Sequence, residues 1–201
     1  MVFQNPDSRN DRRVPTARSA RGSSRPLKFT VAALAIGLAA AMPAASAKTP
    51  GEVEIGATLR EASMLGLNGP TKRISEFRGK PLIINVWASW CGPCRQEMAS
   101  LERLAWREGA GQFTVIGIST DDYPEAAKAF LKASNATISH FIDSQLLLEN
   151  MLGATRLPLT VLVDANGRVL DKVYGAKQWD GPEALKLIVK TFPGQKLATR
   201  P

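Results

Sequence analysis

Two cysteines and one histidine are all that 201 residues offer for thiol or imidazole chemistry. That scarcity excludes a good deal. A structural zinc site takes about four nitrogen or sulfur ligands, and the single histidine, His140, lies 46 residues beyond Cys94. A cysteine-stapled scaffold is excluded too, because a bridge between Cys91 and Cys94 closes almost no loop of the unfolded chain. Strong positive charge is also missing once the net +8 is located. Residues 1–47 hold seven of the 26 Lys/Arg and two of the 18 Asp/Glu, leaving 19 against 16 for residues 48–201. A scattered +3 argues for solubility and against a nucleic-acid partner. No cysteine stands directly behind the N-terminal apolar run, so a lipoprotein is excluded.

What the N-terminus does have is an export signal. Arg9 to Lys28 supply a basic region, "FTVAALAIGLAAA" (29–41) an apolar core, and Ala45-Ser46-Ala47 a small-residue site. Thirteen apolar residues fall short of the about 20 that span a bilayer. Cleavage after Ala47 suits the pattern. If uncleaved, the same Ala-rich stretch up to Ala47 would anchor the domain to the inner membrane. Both readings place residues 48–192 outside the cytoplasm, in a bacterial periplasm, with 193–201 as a tail.

Beyond Ala47 the chain shows no repeat and reads as one α/β domain. "EASMLGLNGPTKRI" predicts two short strands around Gly69-Pro70. "PLIINVWA" (81–88), a continuous apolar, β-branched run, predicts a central strand covered on both faces. From Cys91, Met98, Leu101, Leu104 and Ala105 recur at helical spacing, with Gly109 where that helix would stop. "FTVIGIST" (113–120) predicts a second buried strand. A helix over 123–134 follows, with Asp121 or Asp122 as its cap. "HFID" is a short strand, "SQLLLENML" a helix, 159–175 a hairpin turning at Asn166-Gly167, and about 181–190 a final helix. His140 is expected to be structural.

Both cysteines sit in "WCGPC", where the central strand becomes a helix. Residues three apart at a helix start lie on one face, within reach of a disulfide. Cys91, at the N-terminal edge, gains from the helix dipole and free amides, so its thiol ionises readily and is the expected nucleophile. Cys94 is the resolving thiol. Gly92 allows a partner backbone to approach, and Pro93 suits a helix start. Glu97 lies one turn beyond Cys94, where a partly buried carboxylate with a raised pKa can take the resolving thiol's proton. Trp90 is expected as a wall for substrates, Trp87 as core, and Arg95 as an exposed charge favouring the thiolate. A Cu(I)-binding delivery module stays open as an alternative, with Met98 the nearest third ligand. Thiol peroxidase chemistry is disfavoured, since Ala88 stands where that chemistry has Thr.

"INVWASWCGPCRQEM" resembles the active-site strand and helix of the thioredoxin superfamily, and the chain over roughly 50–192 is most similar to its TlpA/ResA-type periplasmic thiol-disulfide oxidoreductases. The resemblance implies a thioredoxin-like fold: a central mixed sheet flanked by helices, an N-terminal hairpin, and a strand-helix insert within 121–155. It implies a cis bond at Pro158, with Leu157 offering its main chain to an extended substrate. Glu97 matches the ResA-like branch, while Asn85 replaces the buried Asp of thioredoxins proper. It further implies reduction of disulfides in exported proteins, with apocytochrome c or copper-oxidase assembly proteins as settings and a membrane thiol-disulfide carrier as electron donor. A disulfide donor of the same fold is the nearest alternative. No metal or cofactor beyond the Cys91–Cys94 disulfide is expected, and the chain is read as a monomer.

Overall fold

The structure is a computed structural model that describes residues 49–107 and 110–194. Residues 1–47, read above as an export signal or anchor, Gly109 and most of residues 193–201, read as a tail, lie outside the described residues. Among those described, no helix is long and apolar enough to cross a membrane.

The strongest local signal, the apolar run after Pro81, forms β3 (Leu82–Trp87), and every residue of it is buried. Strand alternation sends Leu82, Ile84 and Val86 to one face and Ile83, Asn85 and Trp87 to the other. β4 (Thr114–Ser119) pairs parallel to β3, and β5 (Ser139–Ile142) pairs parallel to β4. β6 (Leu159–Val163) lies antiparallel on the other side of β3, and β7 (Val169–Tyr174) follows it through the Asn166-Gly167 turn. Gly167 takes φ 87°, which glycine adopts without steric cost, and Asp164 Oδ1 accepts from Asn166 N and Arg168 N, both at 2.8 Å. β1 (Ser63–Gly66) and β2 (Lys72–Arg73) form the N-terminal hairpin, and β1 adds to β5. The seven strands run β2-β1-β5-β4-β3-β6-β7. Mixed sheet, hairpin and insert are all present.

Among the described residues four α-helices cover the sheet: α1 (Gly92–Trp106), α2 (Pro124–Ala133), α3 (Leu147–Leu152) and α4 (Pro182–Thr191). Ile83, Leu101, Leu104, Leu162, Leu185 and Ile188 pack between the sheet and α1/α4. Ile84, Val86, Ile116 and Ile118 meet Met151 and Leu152 of α3 on the opposite face. Each such side chain fully buried contributes about 1.5–3 kcal/mol.

Three expectations need correction. Neither Asp121 nor Asp122 caps α2: the N-cap is Tyr123, without a side-chain bond, because Asp121 turns inward to the β3–α1 connection. The helix read over 144–152 starts only at Leu147, since Leu146 has φ 56° and Asp143 accepts from Leu147 N (3.0 Å) and Glu149 N (2.7 Å). α1 ends at Trp106, where Arg107 N bonds back to Leu104 O at 3.4 Å.

Candidate active site

Cys91 and Cys94 are joined by a disulfide, with Cα atoms 5.3 Å apart. The strand-to-helix switch places them: β3 ends at Trp87, and Cys91 is the N-cap of α1 in an extended conformation (φ −79°, ψ 103°). Its Sγ accepts from Cys94 N at 3.2 Å, so a main-chain donor of the first turn already points at that sulfur. Such amides, with the dipole behind them, favour negative charge on it. The two residues differ in access, Cys94 being fully enclosed while Cys91 keeps 6 % exposure. Gly92, Pro93 and Trp90 beside it are exposed, and Trp90 stands 72 % out of the protein. Trp87 is buried under the pair, against Phe130 and His140.

Glu97 lies one turn past Cys94 on α1 and is 2 % exposed. Three N–H groups converge on it. Asn85 Nδ2 donates to Oε1 at 2.7 Å, and Lys177 N and Trp179 Nε1 donate to Oε2 at 3.0 and 3.1 Å. Burial pushes its pKa up, and the bonds from Lys177, Asn85 and Trp179 pull against that without cancelling it. Asn85 faces Glu97 because it sits on the α1 side of β3. The same Nδ2 reaches Thr160 Oγ1 on β6 at 3.2 Å, and Asn85 Oδ1 has no hydrogen-bond partner among the described residues. Ser100 ties the far wall to α1: it donates to Lys177 O (3.3 Å) and accepts from Trp179 N (3.0 Å).

The Leu157–Pro158 bond is cis. Pro158 is buried just before β6, the neighbour of β3, and Leu157 packs in the cluster that holds Cys91, Cys94 and Met98. These segments, over sixty residues apart in the chain, therefore meet. Arg95 does not point its charge at the cysteines; its guanidinium lies over the Phe130 ring, 5.4 Å from the centroid. Among the described residues no three His, Cys, Asp or Glu side chains are grouped to hold a metal.

A dithiol at a helix start with a buried carboxylate behind it is equipped to exchange disulfides, and comparison with known proteins agrees. The Redoxin family model matches residues 40–188. The chain belongs to the Redoxin family. The thiol-disulfide oxidoreductase ResA of Geobacillus thermodenitrificans is 28 % identical over 123 residues, 61 % of this chain and 71 % of that protein. The thioredoxin-like protein YneN of Bacillus subtilis is 27 % identical over 122 residues, 59 % of this chain and 71 % of its own. A solved structure assigned as the thiol:disulfide interchange protein DsbE of Chlorobium tepidum superposes with a TM-score of 0.64 at 24 % identity, covering 70 % of this chain and 99 % of that one, which establishes the shared fold. This Redoxin is a TlpA/ResA-type member of the thioredoxin superfamily and a thiol-disulfide oxidoreductase.

Sequence reasoning missed part of this Redoxin's site. Trp179, Lys177, Ser100 and Thr160 all shape the Glu97 pocket, and Asp121 holds the turn before Cys91. A tryptophan just ahead of the last helix was the one available signal for Trp179. Nothing local pairs it with a glutamate 82 residues earlier.

Proposed function

We propose that this enzyme reduces disulfides of exported proteins in the periplasm, with Cys91 as nucleophile, Cys94 as resolving thiol and Glu97 as proton acceptor. The Cys91 thiolate attacks one sulfur of the substrate disulfide, forming a mixed disulfide and expelling the other sulfur as a thiolate. Cys94 passes its proton to Glu97 and attacks Cys91 Sγ, releasing the second substrate thiolate and leaving the Cys91–Cys94 disulfide. Two electrons have moved to the substrate. A membrane thiol-disulfide carrier returns them by the reverse exchange. The pair is the only redox group this cycle uses.

The observation that carries the reading is the Glu97 pocket. It is a closed acceptor one turn behind the enclosed sulfur, and its raised pKa brings it nearer the working pH. Trp90, Gly92 and Pro93 form the exposed rim on which a substrate docks. Leu157 and Pro158 offer main chain to an extended segment around the substrate cystine, so recognition tolerates many sequences. The basic and apolar N-terminal pattern supports export, cleaved or as an anchor, and the enzyme acts as a monomer. Apocytochrome c and copper-oxidase assembly proteins are the substrates that resemblance favours.

Two measurements test this. Cys94→Ser in the full chain should arrest natural substrates as mixed disulfides through Cys91, and their identification names the setting. No arrested partner would sink the reading. Equilibration of the pair with glutathione should give a potential nearer the roughly −270 mV of reducing thioredoxins than the roughly −120 mV of strong oxidants; the latter would make the protein a disulfide donor.

A further inference from the structure

Asp121 is 4 % exposed just past the end of β4, and no salt bridge pairs it among the described residues. It takes three hydrogen bonds: Ser89 N to Oδ2 at 2.9 Å, Ser89 Oγ to Oδ1 at 2.7 Å and Ser119 Oγ to Oδ2 at 2.6 Å. Its own N–H donates to Ser119 Oγ at 3.2 Å, closing a local ring. Two of the three bonds run to one residue, and that residue lies two positions before Cys91. Among the described residues, the other hydrogen bonds of the connection are main chain to main chain, Thr120 N to Trp87 O at 2.9 Å and Cys91 N to Ala88 O at 3.1 Å. Among the described residues, Asp121 is thus the side chain whose hydrogen bonds grip the turn between β3 and the nucleophile. Burying a carboxylate without a cationic partner is costly, and closing an ordinary strand-to-helix connection does not require one.

We infer that Asp121 is a positioning residue for Cys91: by clamping both hydrogen-bond donors of Ser89, its N–H and its hydroxyl, it fixes where the Cys91 sulfur stands against the first amides of α1. The inference rests on the proposed nucleophilic role of Cys91. Its physical content is that thiolate stabilisation by Cys94 N depends on direction, and displacement of a reacting atom by about 1 Å can cost on the order of 10²-fold in rate.

The test compares Asp121→Ala with Asp121→Asn, both in the full chain carrying Cys94→Ser, because both variants lose the charge. Asparagine keeps the geometry: its Oδ1 can take Ser89 N and Ser119 Oγ, and its amide donates to Ser89 Oγ, a hydroxyl that reverses its role. Alkylation of Cys91 by iodoacetamide is followed from pH 4 to 9, with melting temperature measured alongside. The alanine variant should react roughly 10-fold or more slowly than the asparagine variant at pH 7, with a higher midpoint in its pH profile. Equal rates and midpoints, whatever the melting temperatures, overturn the inference. Should the alanine variant not fold, Ser89→Ala removes the Oγ bond alone. It should slow alkylation severalfold, and an unchanged profile is again fatal. A Cys94→Ser parent whose Cys91 titrates like a free thiol, near 8.5, instead refutes the nucleophile assignment, and that is visible before any Asp121 variant is made.

Discussion

Two buried carboxylates bracket the start of α1, and they are built differently. Glu97 draws its donors from residues 12 positions back and 80 and 82 positions ahead. Every one is an amide or indole N–H that can only donate. Asp121 draws its donors from Ser89 and Ser119, at the ends of two adjacent strands, and two of the three are hydroxyls. The Glu97 pocket is assembled by the whole fold and sets burial against hydrogen bonding, a balance that small changes tip. The Asp121 ring is local and closed. The first suits a group that gains and loses a proton, the second a group that holds chain in place.

The largest expected effect comes from removing the wall of the Glu97 pocket. Trp179 is fully buried among Leu101, Leu104, Leu185 and Ile188. Trp179→Ala should cost about 3–5 kcal/mol in denaturant unfolding. Trp179→Phe keeps most of the packing but strips the indole donor from Glu97, which sharpens the comparison. It should cost about 1–3 kcal/mol and raise the Glu97 pKa further, moving the pH–rate profile upward. An unmoved profile would mean that the Glu97 carboxyl is not the group the profile reads.

Glu97→Gln tests the same point by chemistry. Turnover with a disulfide substrate at pH 7 should fall on the order of 10²-fold, the contribution of a positioned proton acceptor. Stability should not fall with it. A carboxyl whose folded pKa lies above 4.5 stabilises the fold fully below that value and loses the contribution as pH rises through the folded pKa. A neutral glutamine escapes that loss. It also offers an N–H toward Asn85, whose amide can turn to present the unpartnered Oδ1. Asn85→Ala should act more weakly and in a different sense, lifting the Glu97 pKa by removing a donor, again read from the pH–rate profile.

How much of this was legible follows from the range of each signal. The continuous apolar run of β3, the helical spacing after Cys91 and the Asn166-Gly167 turn are local patterns, and the structure realises them within a residue or two. The disulfide lies within four residues. Asp121 was misread because an acidic residue ahead of a proline-started helix is what a cap looks like. Only the backbone path after Ser119 reveals that it faces Ser89 instead. The floor of the Glu97 site depends on how the stretch between β7 and α4 folds back, and no period in the sequence encodes that. Gly117 carries the same lesson. It reads as an ordinary glycine inside a strand, yet a Cβ there would stand 2.1 Å from His140 Nδ1.

That close approach leads to the smallest effect expected, which concerns a buried base in place of a buried acid. His140 is enclosed between Gly117, Trp87 and Glu102, and neither ring nitrogen has a hydrogen-bond partner among the described residues. Burial pushes its pKa below 6.5. Glu102, with Oε1 at 4.0 Å from Nε2, opposes the shift without reversing it. A depressed pKa gives stability that is complete above 6.5 and is lost as pH falls below it, because only the unfolded chain readily takes the proton. Glu97, raised above 4.5, contributes in the other direction, and in the parent it offsets part of that loss wherever the two titrations overlap. In Glu97→Gln that counterweight is gone, and the melting temperature should fall more steeply with acid. In His140→Phe the acid-side loss should vanish and the residual Glu97 slope reverse it. A parent and a His140→Phe variant with the same pH dependence would show that the imidazole is not the group being titrated.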